Sequence, residues 1–573
     1  MHLIADHLDI WTAAPVSKAN GGRGRVSAAN RSPYGIKKLR ELILELAVRG
    51  MLVEQNPNDD PASVLLEKIA KEKARLIKEG KIKKQKPLPK IREEEKPYEL
   101  PTNWNWVRLG DLILDIAGGG TPSRNNSAFW GGEIPWASVK DVGKTKFLNS
   151  TIDKITVEGL ENSSSNLIPK GCVIVCTRMG LGKISINFID VAINQDLKAL
   201  RFPENIDINY FYNFFLTQDV KGTGMTVAGI RQDDLLNIPV QLPPLAEQHR
   251  IVAKVDELMA LCDRLEQQQG DSSATHQTLV ETLLATLTTA ADHQGFAEAW
   301  HRIAGHFDTL FTTEESIDQL KQAILQLAVQ GKLIPQDPND EPASVLLTKI
   351  AKEGKLKKQK SLPEISEDDI PHAIPTNWSW AYFQNVTALI TDGEHATPPR
   401  VSLAGIPMAT AKNIRDGFID LRDTDFVSEE TARKCWKRCR PEHDDILMVC
   451  VGATTGRLTV IKEPEKFIMV RSVALIRPFS PHILPEYLAL SLRSPIGQKQ
   501  IWENVRQSAQ PCLYIGKMNE LQVSIPPLAE QHRIVAKVDD LMALCDQLKA
   551  KLTQSQERSE KLVDAMFQQL LVA

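Results

Sequence analysis

The chain contains itself twice, and this restricts its fold more than any other feature. The run Pro243-Pro244-Leu245-Ala246-Glu247-Gln248-His249-Arg250-Ile251-Val252 returns as Pro526-Pro527-Leu528-Ala529-Glu530-Gln531-His532-Arg533-Ile534-Val535. The match continues in register to Asp263 and Asp546, with one change, Glu257 against Asp540. Shared helix propensity does not produce identity of that order, so the two segments are copies and must fold alike. Each copy opens on two prolines and a nearby glutamate. Proline loses no hydrogen bond in the first turn of a helix, and a carboxylate there faces the positive end of the helix dipole. Helices are therefore expected from Leu245 and from Leu528. Ile251, Val255, Leu258, Cys262 and Leu265 recur at alternating steps of four and three, as do Ile534, Val538, Leu541, Cys545 and Leu548. That spacing is a coiled-coil seam, and two such seams in one chain predict that the helices pack on each other.

The rest of the chain repeats in the same order. Ile4 to Ile10 matches Ile303 to Thr309, after which the first copy carries an insert with Gly21-Gly22-Arg23-Gly24-Arg25, expected to be a basic loop. Amphipathic helices are predicted over Lys38 to Gly50 and Leu320 to Gly331, each ended by glycine. Turns follow at Pro57-Asn58-Asp59-Asp60-Pro61 and Pro338-Asn339-Asp340-Glu341-Pro342, leading into second helices with basic tails, Lys81 to Lys86 and Lys355 to Lys360. Pro101-Thr102-Asn103-Trp104-Asn105-Trp106 and Pro375-Thr376-Asn377-Trp378-Ser379-Trp380 then mark a change of texture. Helical periodicity gives way to short β-rich runs such as Val173 to Val175, Lys183 to Ile186, Ile446 to Val449 and Arg457 to Val460. The predicted organisation is an N-terminal helical region over 1–100, an α+β domain over 101–241, a central helical region over 242–374, a second α+β domain over 375–524 and a terminal helix over 525–573. Inside the α+β domains the copies diverge sharply. Trp104, Trp106, Trp378 and Trp380 are expected to be core where each domain begins.

The cut of the duplication has its own consequence. A complete second unit arises only if the C-terminal helix runs on into the N-terminus, so the chain reads as a pseudo-twofold, circular duplication. Its termini are expected within about 30 Å of each other, the reach of the nine unmatched residues between the copies. The helix near Leu39 is expected beside the C-terminal helix, and the one near Leu320 beside the helix from Leu245.

Composition excludes several classes. A net charge of −3 over 573 residues argues against a uniformly basic nucleic-acid binder, though not one with its positive charge on one face. No apolar run approaches the roughly 18 residues of a membrane span, and the start lacks the order of a signal peptide, so a cytoplasmic protein is expected. The eight cysteines are scattered without zinc spacing and read as buried thiols. Gly180-Leu181-Gly182-Lys183 and Gly452 to Arg457 depart from the phosphate-loop pattern and read as tight strand connections. No catalytic residue, metal cluster or cofactor loop is expected in this chain.

Taken together, the Pro-Pro-Leu-Ala-Glu-Gln openings, the Pro-x-Asn-Trp-x-Trp motifs and Gly119-Gly120-Thr121-Pro122-Ser123 with Ile134-Pro135-Trp136 resemble the specificity subunits of type I restriction-modification enzymes. The resemblance covers essentially the whole chain, and the extended N-terminus and Asp-Pro-Asn blocks resemble the longer subclass often labelled IB. It implies an α+β fold with two α/β target-recognition domains separated by long antiparallel coiled-coil helices. It also implies double-stranded DNA as ligand, each domain reading half of a bipartite asymmetric site. The implied partners are two methyltransferase subunits docked on the helices and restriction/translocase subunits, with S-adenosylmethionine, ATP and Mg used by those partners and no cofactor here. Polar loop residues are the candidates for DNA contact, because Arg and Lys pair guanine edges, Asn pairs adenine, and any of them holds phosphate. In the first domain these are Thr121, Ser123, Arg124, Asn125, Lys140, Arg178, Lys183 and Arg231. In the second they are His395, Arg400, Lys412, Asn413, Arg415, Arg457 and Arg471. Glu247, His249, Arg250, Glu530, His532 and Arg533 are the candidates for the methyltransferase-subunit interface. A stand-alone DNA-acting enzyme with an unrecognised site and a helical protein-binding adaptor remain the alternatives.

Overall fold

The computed structural model describes residues 8–13, 33–220, 229–353, 362–366, 370–402, 405–462, 466–507 and 510–572. The basic insert at Gly21 to Arg25, the tail Lys355 to Lys360 and both chain ends lie outside the described residues, so the expected closeness of the termini does too. The chain divides into two compact units, residues 1–272 with 556–573, and residues 273–555.

Two helices of 45 residues each, Leu245–Thr289 and Leu528–Val572, begin at the residues the prolines predict. At 1.5 Å per residue each is about 68 Å long. In the first unit Ile251, Val255, Leu258 and Cys262 are buried in one core with Ile36, Leu39, Leu42 and Ile43 of the helix Tyr34–Val48 and with Val563 of the second long helix. The Tyr34 hydroxyl donates to Asp564 at 2.6 Å, and Arg40 reaches Asp263 at 2.7 Å and Glu266 at 2.9 Å. In the second unit Ile534, Val538 and Cys545 share a core with Ile317, Leu320, Ile324 and Leu327 of the helix Glu314–Val329 and with Val280, Leu284 and Leu287 of the first long helix. The start of one long helix is thus packed with the end of the other. Each seam also takes a third, shorter helix, whose apolar stripe would otherwise face water.

Each unit carries one β-rich domain, and the two share a strand order. In the first, a five-stranded sheet runs Asp115–Gly118, Leu197–Arg201, Val173–Cys176, Ile184–Asn187, Phe147–Leu148. A four-stranded sheet runs Asp153–Ile155, Trp130–Ala137, Val191–Ile193, Leu167–Ile168. In the second, the sheets run Thr387–Asp392, Val473–Pro478, Ile446–Val449, Leu458–Val460, and Asp425–Val427, Ile406–Ala409, Ile468–Met469. Val173 to Cys176 and Ile446 to Val449 are buried along their whole length, which is why they read as continuous apolar runs rather than alternating ones. A two-stranded ladder closes the base of each domain, Asn105–Arg108 against Pro239–Leu242 and Ser379–Tyr382 against Gln522–Ile525.

The join between ladder and long helix is duplicated bond for bond. The Trp104 indole donates to Glu247 Oε2 at 2.9 Å, and Trp378 donates to Glu530 Oε2 at 3.0 Å. Gln248 Oε1 accepts from the backbone of Asp207 at 2.9 Å, and Gln531 Oε1 from that of Leu484 at 2.8 Å. The Tyr210 hydroxyl donates to the Gln241 carbonyl and Tyr487 to that of Ser524, both at 2.8 Å. Gly50 and Gly331, at φ of 72° and 71°, end their helices against Pro101 and Pro375, where the left-handed backbone favours glycine.

Candidate nucleic-acid interface

The loops that carry the candidate residues leave the ends of the sheets just described. In the first domain the strand Asp115–Gly118 runs into Gly119, where a Cβ would lie 1.9 Å from the Ile193 carbonyl oxygen, so only glycine allows the approach. The next residues place the Thr121 hydroxyl 2.5 Å from Gln195 Oε1. Three residues on, Arg124 donates to Asp153 at 2.9 Å and its guanidinium lies 3.7 Å from the centroid of the Trp130 ring. Trp130 is itself held by a hydrogen bond to the Ser123 carbonyl at 3.1 Å. Asp141 closes a turn by accepting from the Ser138 amide at 2.9 Å and hydroxyl at 3.0 Å, leaving Lys140 exposed on it. The hairpin from Cys176 to Ile184 carries Arg178, 3.8 Å from Asp196, and the exposed Lys183. Arg231 pairs with Asp234 at 3.0 Å, and its neighbour Ile230 is hydrogen-bonded to the Thr177 carbonyl, which brings it to the same end. Ser123 and Asn125 are exposed on the Thr121 to Arg124 loop.

The second domain uses the same positions, some with the same chemistry and some with other. At Gly393 a Cβ would lie 2.2 Å from the Met469 carbonyl, the counterpart of Gly119. His395 Nε2 lies 3.0 Å from Asp392 and 2.8 Å from the Arg438 guanidinium, and Arg438 donates to Asp392 at 2.7 Å. Arg400 pairs with Asp425 at 3.3 Å, and Lys412 pairs with Asp423 at 3.1 Å. Arg415 and Arg471 are exposed, and Arg457 is half-buried. Asn413 is not available for base contact. It is 1% exposed, its Oδ1 accepts from the Thr410 amide and hydroxyl, and its Nδ2 donates to the carbonyls of Asp420 and Asp423. It closes the same turn as Asp141.

The six long-helix candidates separate in the same way. Glu247 and Glu530 are buried, at 1% and 0% exposure, and bond the chain's own tryptophans, so neither carboxylate is a surface contact. Burial pushes both carboxyls above the usual range, opposed by the Trp hydrogen bonds and the neighbouring arginines. Arg250 and Arg533 reach Asp59 at 2.6 Å and Asp340 at 2.5 Å, pinning the Asn-Asp turns. His249 and His532 face solvent.

Gln195, Asp153 and Asp425 belong to these faces and are not of the residue types that pick out the candidates, whereas Arg438 is of such a type and was missed. The alignment of Thr121-Pro122-Ser123-Arg124 with Thr397-Pro398-Pro399-Arg400 pairs the two arginines, and the aspartates become visible only through the ion pairs those arginines make. Among the described residues no cluster of His, Cys, Asp or Glu is placed to hold a metal ion, and no helix is long and apolar enough to cross a membrane. Burial pushes the Cys176, Cys439 and Cys450 thiols up to about 12, which keeps them protonated and unreactive at neutral pH.

Comparison with known proteins agrees with this arrangement. The type I restriction modification DNA specificity domain matches residues 101–272 and 405–557. The type I restriction enzyme EcoAI specificity subunit of Escherichia coli is 37% identical, the match covering 98% of this chain and 98% of that one. The EcoEI specificity subunit of Escherichia coli is 36% identical over the same shares. Two β-rich domains with polar loop faces, set on a duplicated helical frame, are what these matches span from end to end, and the chain belongs to the specificity subunits of type I restriction-modification enzymes, the non-catalytic components that recognise DNA sequence.

Proposed function

We propose that each β-rich domain, over 101–241 and 375–524, reads one half of a split, asymmetric DNA site, and that the helical regions 1–100, 242–374 and 525–573 set the separation of the halves. One observation carries this reading: a single bonded junction, repeated at Trp104–Glu247 and Trp378–Glu530, presents two loop faces of different chemistry. A rigid repeated mount with two unlike readers is what an asymmetric sequence requires, because the mount fixes spacing and each face supplies its own base contacts. The exposed His249 and His532, on matching turns of the long helices, are the anchor points for two methyltransferase subunits, with Arg250 and Arg533 holding the turns beside them. S-adenosylmethionine-dependent methylation and ATP- and Mg-dependent cleavage belong to those partners and to the restriction subunits, and the assembly works in the cytoplasm.

The test is exchange of residues 107–240 for those of a relative with different specificity, co-expression with the methyltransferase partner, and sequencing of the methylated motif. One half of the motif is expected to change while the other half and the spacer stay. A change in both halves would overturn the assignment of one domain to one half.

A further inference from the structure

Two copies of one domain that face different sequences cannot tell those sequences apart with a side chain they share. What they share must serve work common to both sites, and the common feature of any two DNA half-sites is the phosphate backbone. The sheet registers make the shared positions visible. Asp153 lies opposite Trp136 and Asp425 opposite Met408, while Ala192 and Ile468 flank the same two residues from the other side. Arg124–Asp153 and Arg400–Asp425 are therefore one ion pair occurring twice. The turn closed by Asp141 beneath Lys140 is likewise the turn closed by Asn413 beneath Lys412, with the same two hydrogen bonds from Ser138 and from Thr410. Cys176 N–H bonds the Lys183 carbonyl and Val449 N–H bonds the Arg457 carbonyl, each residue standing one place before its hairpin's returning strand. By contrast, the residue two places beyond the strands Val191–Ile193 and Ile468–Met469 is Gln195 in one domain and Arg471 in the other.

We propose that the shared cations, Arg124 with Arg400, Lys140 with Lys412 and Lys183 with Arg457, grip phosphate at the same place in each domain, and that the unshared pair, Gln195 against Arg471, reads bases. This rests on the reading of the two domains as half-site readers and adds a division of labour within each face. The chemistry of the exchanges supports the division. Lys183 and Arg457 keep charge but not shape, which a phosphate oxygen tolerates and a bidentate base edge does not. Gln195 and Arg471 differ in the way that adenine and guanine recognition differ, an amide pairing N6 and N7, a guanidinium pairing O6 and N7. Asp153 and Asp425 hold the arginine heads in place, and because an exposed ion pair is weak, the guanidinium is free to share itself with phosphate.

The experiment uses the full chain in complex with its methyltransferase partner. It measures duplex binding across a salt series, to the cognate site and to a mismatched one, and sequences the methylated motif. Arg124→Ala, Lys140→Ala, Arg400→Ala and Lys412→Ala are each expected to weaken both duplexes by the same factor and leave the motif intact. Each should also lower the slope of log affinity against log salt by about 0.9, one phosphate's worth. Gln195→Ala and Arg471→Ala are each expected to relax one motif position, in opposite halves. Arg124→Lys, which keeps the charge, should retain most of the binding lost in Arg124→Ala, separating charge from fold. A shared-set variant that changes base preference, or that leaves binding and salt slope untouched, overturns the division while the half-site reading stands. A wild-type complex with no sequence preference overturns both.

Discussion

The junctions and the loop faces of this molecule have had the same opportunity to diverge, and the faces have diverged further. At the two junctions the partners of the buried glutamate correspond one to one. Trp104, Gln55, Arg250 and Asp59 surround Glu247, and Trp378, Gln336, Arg533 and Asp340 surround Glu530. At the faces Thr121–Gln195 stands in one domain and Asp392–His395–Arg438 in the other. A buried carboxylate stripped of its donors is costly, so each junction residue constrains the rest. An exposed loop residue constrains only its ligand. The lesson is that the duplication kept the junction and altered part of each loop face.

The largest expected effect tests whether the junctions are energetically as well as geometrically alike. Trp104→Ala removes a side chain that is 5% exposed and deprives Glu247 of its indole donor, and Trp378→Ala does the same to Glu530. Each should cost about 3–5 kcal/mol, read as an earlier thermal transition of the unit that carries it. With its donor gone the carboxyl should sit still higher. A group whose folded pKa is raised favours the fold below its ordinary value near 4.5 and loses that contribution as pH rises through the folded value, so the damage should be greater at pH 7 than at pH 4. Unequal losses at the two sites would break the equivalence.

A smaller effect lies where the copies part company outside the faces. Arg108, 5% exposed, donates to Glu95 at 2.8 Å and to the carbonyls of Pro89 and Asn237, tying the linker to the base of the first domain. The position opposite it in the second domain is Tyr382, since Leu109 N–H and Phe383 N–H make matching bonds to Ile238 and Leu521. The Arg108 hydrogen bond, with that from the Arg92 backbone, holds the Glu95 carboxyl down at about 2. A depressed carboxylate contributes stability that is fully present above the unfolded value near 4.5 and is lost as pH falls towards 2. Protection of the strand Asn105–Arg108 against hydrogen exchange, taken relative to the intrinsic rate at each pH, is expected to fall over that window in the native chain. Glu95→Gln should remove the pH dependence, and the strand Ser379–Tyr382 should show no matching change.

Much of the mount was legible because its rules are local. The prolines mark Leu245 and Leu528 as helix starts, and the four-three spacing picks out Ile251, Val255, Leu258 and Cys262, all buried. The third helix in each core was legible only as an amphipathic stripe, since which seam it fills depends on tertiary packing. Glu247 looked like a surface residue because its partner Trp104 is 143 positions away. Asn413 looked like a base reader because an exposed and a buried asparagine have the same letter, and only its register with Asp141 reveals the turn. Gln195 carries no charge and no motif, so it becomes visible only where Thr121 meets it.

The smallest effect concerns the long helices beyond their identical stretch. After Asp263 and Asp546 the two sequences separate, and Gly270 in the first helix stands at the position of Thr553 in the second. Gly270 lies inside the helix Leu245–Thr289 and is exposed, and a Cβ built on it meets nothing within 4 Å. A glycine there pays backbone entropy for no packing return, so Gly270→Ala should stabilise the helix by about 1 kcal/mol. Thr553 sends its hydroxyl back to the Lys549 carbonyl at 3.0 Å, a bond that competes weakly with the helix's own ladder. Thr553→Ala should therefore gain only about 0.5 kcal/mol, from propensity alone. Thermal unfolding of the two variants gives the ranking directly. If Gly270→Ala gained nothing, its glycine would be serving a bend or a partner's close approach, and the long helices would differ in role as well as in sequence.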